Sequence, residues 1–160
     1  MRLYTIGTDH RRPYDFARLL CKYGIQVVFD VRPLPEATEA HFRRDGLQAL
    51  AATQRADYVF FGNELGGPGN ASMAEWLGSD GFRRGIDIIR HKALTRVCCI
   101  LCSERSPEFC HRRQIADELA RAGIEVVHIL DEGVFWQPPS RPARRERSGR
   151  RDRRGRFRRR

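Results

Sequence analysis

Short, nearly continuous apolar runs alternate along the chain with longer segments whose apolar residues recur every three or four positions. The runs are typical of buried strands of a parallel sheet, whereas the periodic segments are typical of amphipathic helices. The five predicted strands are residues 2–7, 26–31, 57–61, 96–101 and 125–130. Because strands alternate with helices, the pattern predicts an α/β fold with an open, mainly parallel five-stranded sheet and helices on both faces.

Four helices are predicted between the strands, from apolar spacing and from residues that start or stop helices. The second helix carries Leu47, Leu50 and Ala51 on one side. The end signals are Pro13 and Gly24 for the first helix, Ser79 or Asp80 for the third, and Ser106, Pro107 and Gly123 for the fourth. The glycine-rich stretch 62–70 predicts a long loop.

Composition predicts one folded domain followed by a basic tail. With 160 residues and 41% hydrophobic composition, the chain can build one core, which we assign to residues 1–136. Twelve arginines and two acidic residues lie within 141–160, so this segment carries the whole net charge of +10. We expect residues 137–160 to be disordered and 141–160 to bind nucleic acid or another polyanion. A solubilising extension is the alternative.

The cysteine count and the hydropathy pattern bear on the cellular compartment. No apolar run approaches the roughly 20 residues that cross a bilayer, and charged residues among the first twenty argue against a secretory signal. The five cysteines are an odd number, which disfavours a disulfide framework. We therefore expect a cytoplasmic protein with reduced thiols and no membrane partner.

Four polar or glycine-rich loops follow the predicted strands. They are residues 7–12, 30–35, 62–70 and 102–107. In open α/β sheets the ligand crevice lies outside the carboxyl ends of the strands. The sequence therefore predicts that these loops surround a site for a small polar or anionic ligand.

The densest chemistry lies in the last of these loops, where Cys102, Cys110 and His111 come close together in sequence. A helix beginning near Pro107 places Cys110 in its first turn, and a thiol pKa falls near a helix N-terminus or a cation. Cys102 and Cys110 are therefore candidate catalytic thiols, as nucleophile and resolving partner, with His111 as acid or base. The remaining cysteines, Cys21, Cys98 and Cys99, are expected to be small core residues.

Two other interpretations of this cluster stay open. Cys102, Cys110 and His111 are also ligand types for zinc or iron, with a fourth ligand from His10, Glu64 or Asp30. In the second interpretation, the two cysteines and the histidine only pack in the core and have a structural role. No cofactor is predicted.

The remaining candidate residues come from the other loops and from the same motif. Asp30 and Arg32 follow the second strand, where Asp30 is a candidate base and Arg32 a candidate anion clamp; a structural ion pair is the alternative. Glu64 is a candidate catalytic carboxylate beside two glycines that allow close backbone approach or only make a turn. The other candidate substrate-binding residues are Arg112, Glu104, Gly66, Gly67 and His10.

Several motifs together resemble a known family. They read TIGTDHR from Thr5, DVRPLP from Asp30, NELGG from Asn63, and CSERSPEFCHR from Cys102 followed by IADEL. On these motifs residues 1–131 resemble the bacterial and archaeal family called domain of unknown function 488. The most specific element is Cys-x-Glu-x-x-Pro-x-x-Cys-His-Arg, which begins at Cys102. Members tend to read Thr-Ile-Gly-His-Ser in the first loop, where this chain has Thr8, Asp9 and His10.

A weaker resemblance is to rhodanese-like sulfurtransferases, in which an Asp-Val-Arg strand end precedes a cysteine loop and a helix. Asp30 to Arg32 and Cys102 to Arg112 occupy comparable places, but this chain inserts a long segment with a second cysteine. The sequence as a whole predicts a cysteine-dependent enzyme acting on a polar or anionic substrate, with nucleic acids and nucleotides included. The alternative is a nucleic-acid-binding module with a structural or metal-binding Cys/His cluster.

Overall fold

The computed structural model of the chain describes residues 1–34 and 39–136. Pro35 of the predicted 30–35 loop lies outside the described residues. The same is true of residues 137–160, which include the predicted disordered tail and its predicted nucleic-acid-binding segment.

Residues 1–34 and 39–136 contribute six strands to one sheet, and the first five along the chain are parallel to one another. Their bounds are β1 (Arg2–Gly7), β2 (Val27–Asp30), β3 (Asp57–Phe60), β4 (Cys98–Cys102), β5 (Glu125–Asp131) and β6 (Val134–Trp136). The spatial order is β3-β2-β4-β1-β5-β6. The mainly parallel α/β fold is confirmed, although the prediction of five strands missed β6. This strand pairs antiparallel with β5 after a turn at Gly133, and its three residues are too few to show a periodicity.

Within the described residues, six α-helices connect the strands. Their bounds are α1 (Pro13–Lys22), α2 (Arg44–Thr53), α3 (Gly62–Leu65), α4 (Met73–Leu77), α5 (Asp80–Ala93) and α6 (Arg112–Arg121). Ser79 caps α5 by accepting the Phe82 N–H, as its sequence position predicts. The short α3 and α4 were not predicted, because four or five residues cannot display a helical repeat. The interpretation of 62–70 as loop throughout was therefore wrong for its first four residues.

The helix predicted from Pro107 is divided into two parts. Ser106 accepts the Glu108 N–H and starts a 3₁₀ turn, Pro107–Phe109, and α6 begins only at Arg112. Cys110 between them is extended and buried, and Arg112 is buried as well. Residues two apart point to nearly opposite sides of a continuous α-helix. Because both side chains are directed inward, the backbone leaves the helical path at Cys110.

Helices cover both faces of the sheet, as predicted. One apolar cluster packs Val27, Phe29, Ile100 and Cys102 against α5 and α6. The other packs Val28 and further strand residues against α1 and α2. Since side chains alternate along a strand, Cys102 shares its face with α5 and α6, whereas Asp30 follows Val28 on the opposite face.

The strand order brings the carboxyl ends of β2, β4 and β1 next to one another. Backbone hydrogen bonds continue past the strand ends, from Val31 N–H to Leu101 O at 3.0 Å and from Thr8 N–H to Cys102 O at 2.9 Å. The loops after these strands therefore start from a rigid edge. Among the described residues, no helix combines the length and apolarity needed to span a bilayer.

Candidate functional site

Cys102, Cys110 and His111 converge at the carboxyl edge of the sheet, and we call these three residues the thiol–imidazole cluster. One donor atom from each lies within 4.8 Å of the other two. Cys102 is the last residue of β4, Cys110 lies between the 3₁₀ turn and α6, and His111 is the N-cap residue of α6. The structure thus brings together the three residues that the sequence marks as the densest chemistry.

The His111 ring is oriented by the main chain. Its Nε2 atom lies 2.8 Å from the carbonyl oxygen of Val31, and both ring nitrogens lie 3.9 Å from the Cys102 Sγ. A carbonyl oxygen only accepts hydrogen bonds, so Nε2 carries the proton and Nδ1 keeps a free lone pair in the neutral ring. Trp76 packs edge-on at 6.0 Å between ring centroids. The half-buried imidazole is therefore held with Nδ1 available as a base.

Cys110 lies at the start of α6. Its Sγ accepts the Arg112 backbone N–H at 3.5 Å, which is the first N–H of the helix. A hydrogen bond from the Cys102 thiol lowers the pKa of Cys110 to about 6, with help from the Arg112 charge and against the effect of burial. The same hydrogen bond, together with burial, raises the pKa of Cys102. The cluster therefore favours one thiolate, on Cys110, beside one protonated thiol.

Arg112 is completely buried beneath the loop that separates the two cysteines. Its Nη1 donates to the Glu104 carbonyl oxygen, and its Nη2 donates to the Arg105 carbonyl oxygen at 2.6 Å. The Glu104 side chain itself is exposed, while its carbonyl also lies against Gly7, where a Cβ would approach to 2.0 Å. The predicted anion clamp is thus a buried guanidinium that binds the loop backbone and adds positive charge near Cys110.

Asp30 and Arg32 form a buried ion pair rather than facing an open crevice. Arg32 Nε and Nη2 donate to the two Asp30 carboxylate oxygens at 2.8 and 2.6 Å, and Nη1 donates to Phe42 O at 2.8 Å. The Tyr58 hydroxyl donates to Asp30 at 2.7 Å, and burial and this bond raise the pKa of Tyr58. This geometry corresponds to the structural ion pair, which was the alternative to a base and an anion clamp in the sequence-based prediction.

The other candidate residues are scattered around the cluster. Gly67 has φ +97°, and a Cβ there would lie 3.5 Å from His111 Cγ, so this backbone lies against the imidazole. Gly66 packs on Pro33, where a Cβ would meet Pro33 Cα at 2.9 Å. Glu64 lies in α3, and its carbonyl accepts the Trp76 indole N–H at 3.3 Å. Both glycines are therefore close-packing positions, Gly67 against His111 and Gly66 against Pro33.

His10 is not brought to the cluster in the described part of the chain. Its imidazole is largely exposed and lies 3.1 Å from a Glu39 carboxylate oxygen, in a cleft that Arg105 also lines. Trp76 and the Val31 carbonyl, which position His111, were not predicted from the sequence. The signal for Trp76 is the capping box of Ser72 and Glu75 just before it, whereas a backbone carbonyl leaves no trace in a sequence.

The thiol–imidazole cluster offers three ligands of the types that zinc prefers. The Val31 carbonyl orients His111 as backbone carbonyls commonly orient metal-binding imidazoles. Of the fourth ligands that the sequence suggests, Asp30 is committed to Arg32 on the opposite face and His10 pairs with Glu39. Three protein ligands are therefore in place, and metal binding stays an alternative prediction.

Fold and site together define an α/β protein with two thiols and an imidazole at the carboxyl edge of a mainly parallel sheet. The chain belongs to the family described as "Domain of unknown function DUF488", whose model matches residues 12–119. The match spans the whole Cys102 to Arg112 motif and confirms the resemblance seen in the sequence. No match was found among curated proteins or among solved structures.

Proposed function

We propose that this protein is an enzyme that uses Cys110 as a nucleophile on a polar or anionic substrate at the carboxyl edge of the sheet. The observation that carries the proposal is the position of the Cys110 sulfur at the N-terminus of α6, with Cys102 and His111 within 4.8 Å. A thiolate is the reactive form of cysteine, and this position stabilises it.

The roles of the neighbouring groups follow from their geometry. His111 presents Nδ1 as a base, since Nε2 is engaged by Val31 O. The buried Arg112 charge and the N-terminus of α6 favour anionic groups at this edge of the sheet. Asp30 and Arg32 do not touch the substrate in this proposal. Their ion pair spans Val31, the residue after β2, and so fixes the carbonyl that orients His111.

The first test is the rate of alkylation of each cysteine as a function of pH, measured by peptide mass spectrometry on reduced, chelator-treated protein. The thiolate fraction rises as pH increases through the pKa, so Cys110 should reach half its maximal rate near pH 6. A short cysteine peptide alkylated alongside as the free-thiol reference should do so at about pH 8.5. Cys102→Ala should shift the Cys110 midpoint upward, because it removes the donor to the thiolate.

Cys98→Ala is the matched control, because Cys98 is equally buried and lies on the same face of β4, at the opposite end from Cys102. It should leave the Cys110 midpoint unchanged. A Cys110 midpoint equal to that of the free-thiol reference peptide would contradict the proposal. A parallel sample without chelator tests the metal-binding alternative, which would be supported if Cys110 is protected in that sample and reacts only after chelator is added.

A second function, nucleic-acid binding, rests on the separation of charge along the chain. Residues 141–160 carry a net charge of +10, and the remainder of the chain is neutral. An arginine-rich segment displaces counterions from phosphates, so its binding weakens steeply with salt. Such binding would bring the protein to nucleic acids, and it does not depend on the thiol–imidazole cluster.

Removing residues 137–160 should abolish binding to a single-stranded oligonucleotide at low salt. The full chain should show log affinity falling linearly with log salt concentration, with a slope of about −0.7 for each phosphate neutralised on a single strand. Fluorescence anisotropy across a salt series measures both quantities. Retention of full affinity after truncation would place nucleic-acid binding in residues 1–136 and contradict the role of the tail.

A further inference from the structure

The proposed role of Cys110 as the only nucleophile gives no function to Cys102, the second thiol of the thiol–imidazole cluster. Group transfer at one thiolate needs a base and a site for the developing charge, and His111 and the α6 N-terminus offer these. Cys102 nevertheless places its sulfur within 4.8 Å of the Cys110 sulfur and 3.9 Å from His111 Nδ1. A buried thiol in contact with both the nucleophile and the base is suited to attack a bond made by that nucleophile.

The backbone around the two cysteines allows the sulfurs to join. Cys102 is fixed at the end of β4, between β1 and β2, whereas Cys110 lies in an extended residue between a 3₁₀ turn and α6. A disulfide requires the sulfurs to approach to about 2.05 Å, so side-chain rotation and a small shift of the connecting residues must close the gap. Cys99, by contrast, lies in the cluster on the opposite face of the sheet.

We propose that Cys102 and Cys110 form a dithiol–disulfide pair that reduces disulfide substrates by thiol–disulfide exchange. This inference rests on the proposed role of Cys110 as nucleophile, and it names the substrate class of the same site. Phe109, which directly precedes Cys110 in the chain, is an exposed aromatic residue and adds apolar surface to this segment.

The reaction balances in two steps. The Cys110 thiolate attacks one sulfur of a disulfide R–S–S–R, so a Cys110–S–S–R bond forms and the first R–S⁻ leaves and takes a proton from solvent. The Cys102 thiol then transfers its proton to His111 Nδ1 and attacks the Cys110 sulfur, which forms the Cys102–Cys110 disulfide. The second R–S⁻ leaves with the proton from the imidazolium. The substrate gains two electrons, the pair loses two, and an external thiol reductant restores the dithiol.

The test uses the chromogenic disulfide 5,5′-dithiobis(2-nitrobenzoate) on reduced, chelator-treated full-length protein that carries Cys21→Ser. This substitution is needed because the prediction of Cys21 as a core residue was wrong: Cys21 is exposed on α1. With one equivalent of reagent, the Cys102–Cys110 pair should release both aryl thiolates for each disulfide consumed. The intact mass should fall by two hydrogens, and peptide mapping should find Cys102 joined to Cys110. Dithiothreitol should then restore the starting mass.

Cys102→Ser in the same background should release half as much aryl thiolate and keep an aryl adduct on Cys110. Cys102→Ala provides the same comparison if the serine variant folds poorly, and Cys98→Ser should behave like the parent. A persistent adduct on Cys110 in the protein that retains Cys102 would overturn the exchange reaction. If Cys110 in that case were still alkylated with a midpoint near pH 6, its proposed role as nucleophile would be retained, and only the proposed dithiol–disulfide pair would be rejected. An unreactive Cys110 would overturn both.

Discussion

Replacing Arg112 with methionine should lower the free energy of unfolding by about 3–5 kcal/mol. Arg112 is fully buried, and its two terminal nitrogens donate to the carbonyl oxygens of Glu104 and Arg105. Each net hydrogen bond from a charged donor contributes about 1.5–3 kcal/mol, and the substitution leaves two backbone acceptors without their partner. The methionine retains much of the apolar stem, so the loss measures chiefly the guanidinium.

Urea denaturation followed by circular dichroism measures this loss. Arg121→Met is the matched control, because Arg121 lies on the same helix, is exposed, and pairs with Glu118 only at the surface. A surface pair contributes about 0–1 kcal/mol. Arg112→Lys should be intermediate, since an ammonium cannot reach both carbonyls in a fixed fork. If Arg112→Met were as stable as Arg121→Met, the guanidinium would have no structural role and the anion-clamp prediction would be favoured.

Replacing Asp30 with alanine should cost about 3–5 kcal/mol of folding free energy, because breaking a buried ion pair leaves an uncompensated charge. Among the described residues, the Arg32 guanidinium would keep only the Phe42 carbonyl as an acceptor, and the Tyr58 hydroxyl would lose its acceptor. The double variant Asp30→Leu with Arg32→Met should lose less than the sum of the two single changes.

Asp57→Ala is the matched control for Asp30. Asp57 begins the neighbouring strand β3 and pairs with Arg96 at 3.2 Å, but its side chain is 61% exposed. Its replacement should cost about 0–1 kcal/mol in the same denaturation experiment. Comparable losses for Asp30→Ala and Asp57→Ala would contradict a structural ion pair and return Asp30 and Arg32 to the role of substrate ligands.

The strands could be predicted because a parallel strand covered on both faces must be apolar at successive positions. Val27, Val28 and Phe29 illustrate this, since two of them serve one core cluster and the third serves the other. Strand β6 has three residues, and helices α3 and α4 have four and five, so none of them is long enough to show a recognisable apolar pattern. Cap residues were informative where their side chains bond locally, as Ser79 and Ser106 do.

The convergence of Cys102, Cys110 and His111 was predictable for a similar reason. A cysteine at a strand end and a second cysteine near the start of the next helix are close whatever the rest of the chain does. Their chemistry was harder to assign, because the start of α6 at Arg112 depends on two inward-pointing side chains that no helical repeat reveals. With that start established, Cys110 rather than Cys102 receives the first helical N–H.

The sequence by itself determined the α/β class, the five parallel strands and the position of the thiol–imidazole cluster, since these depend on local periodicity and short-range spacing. Only the tertiary structure decided which polar residues share a face and a partner. Because side chains alternate along a strand and Asp30 pairs with Leu101, Asp30 lies on the face of the sheet opposite to that of Cys102, where Arg32 and Tyr58 bind its carboxylate. Burial then required each charged group to find a fixed partner, so Arg112 bound the loop carbonyls and Arg32 bound Asp30.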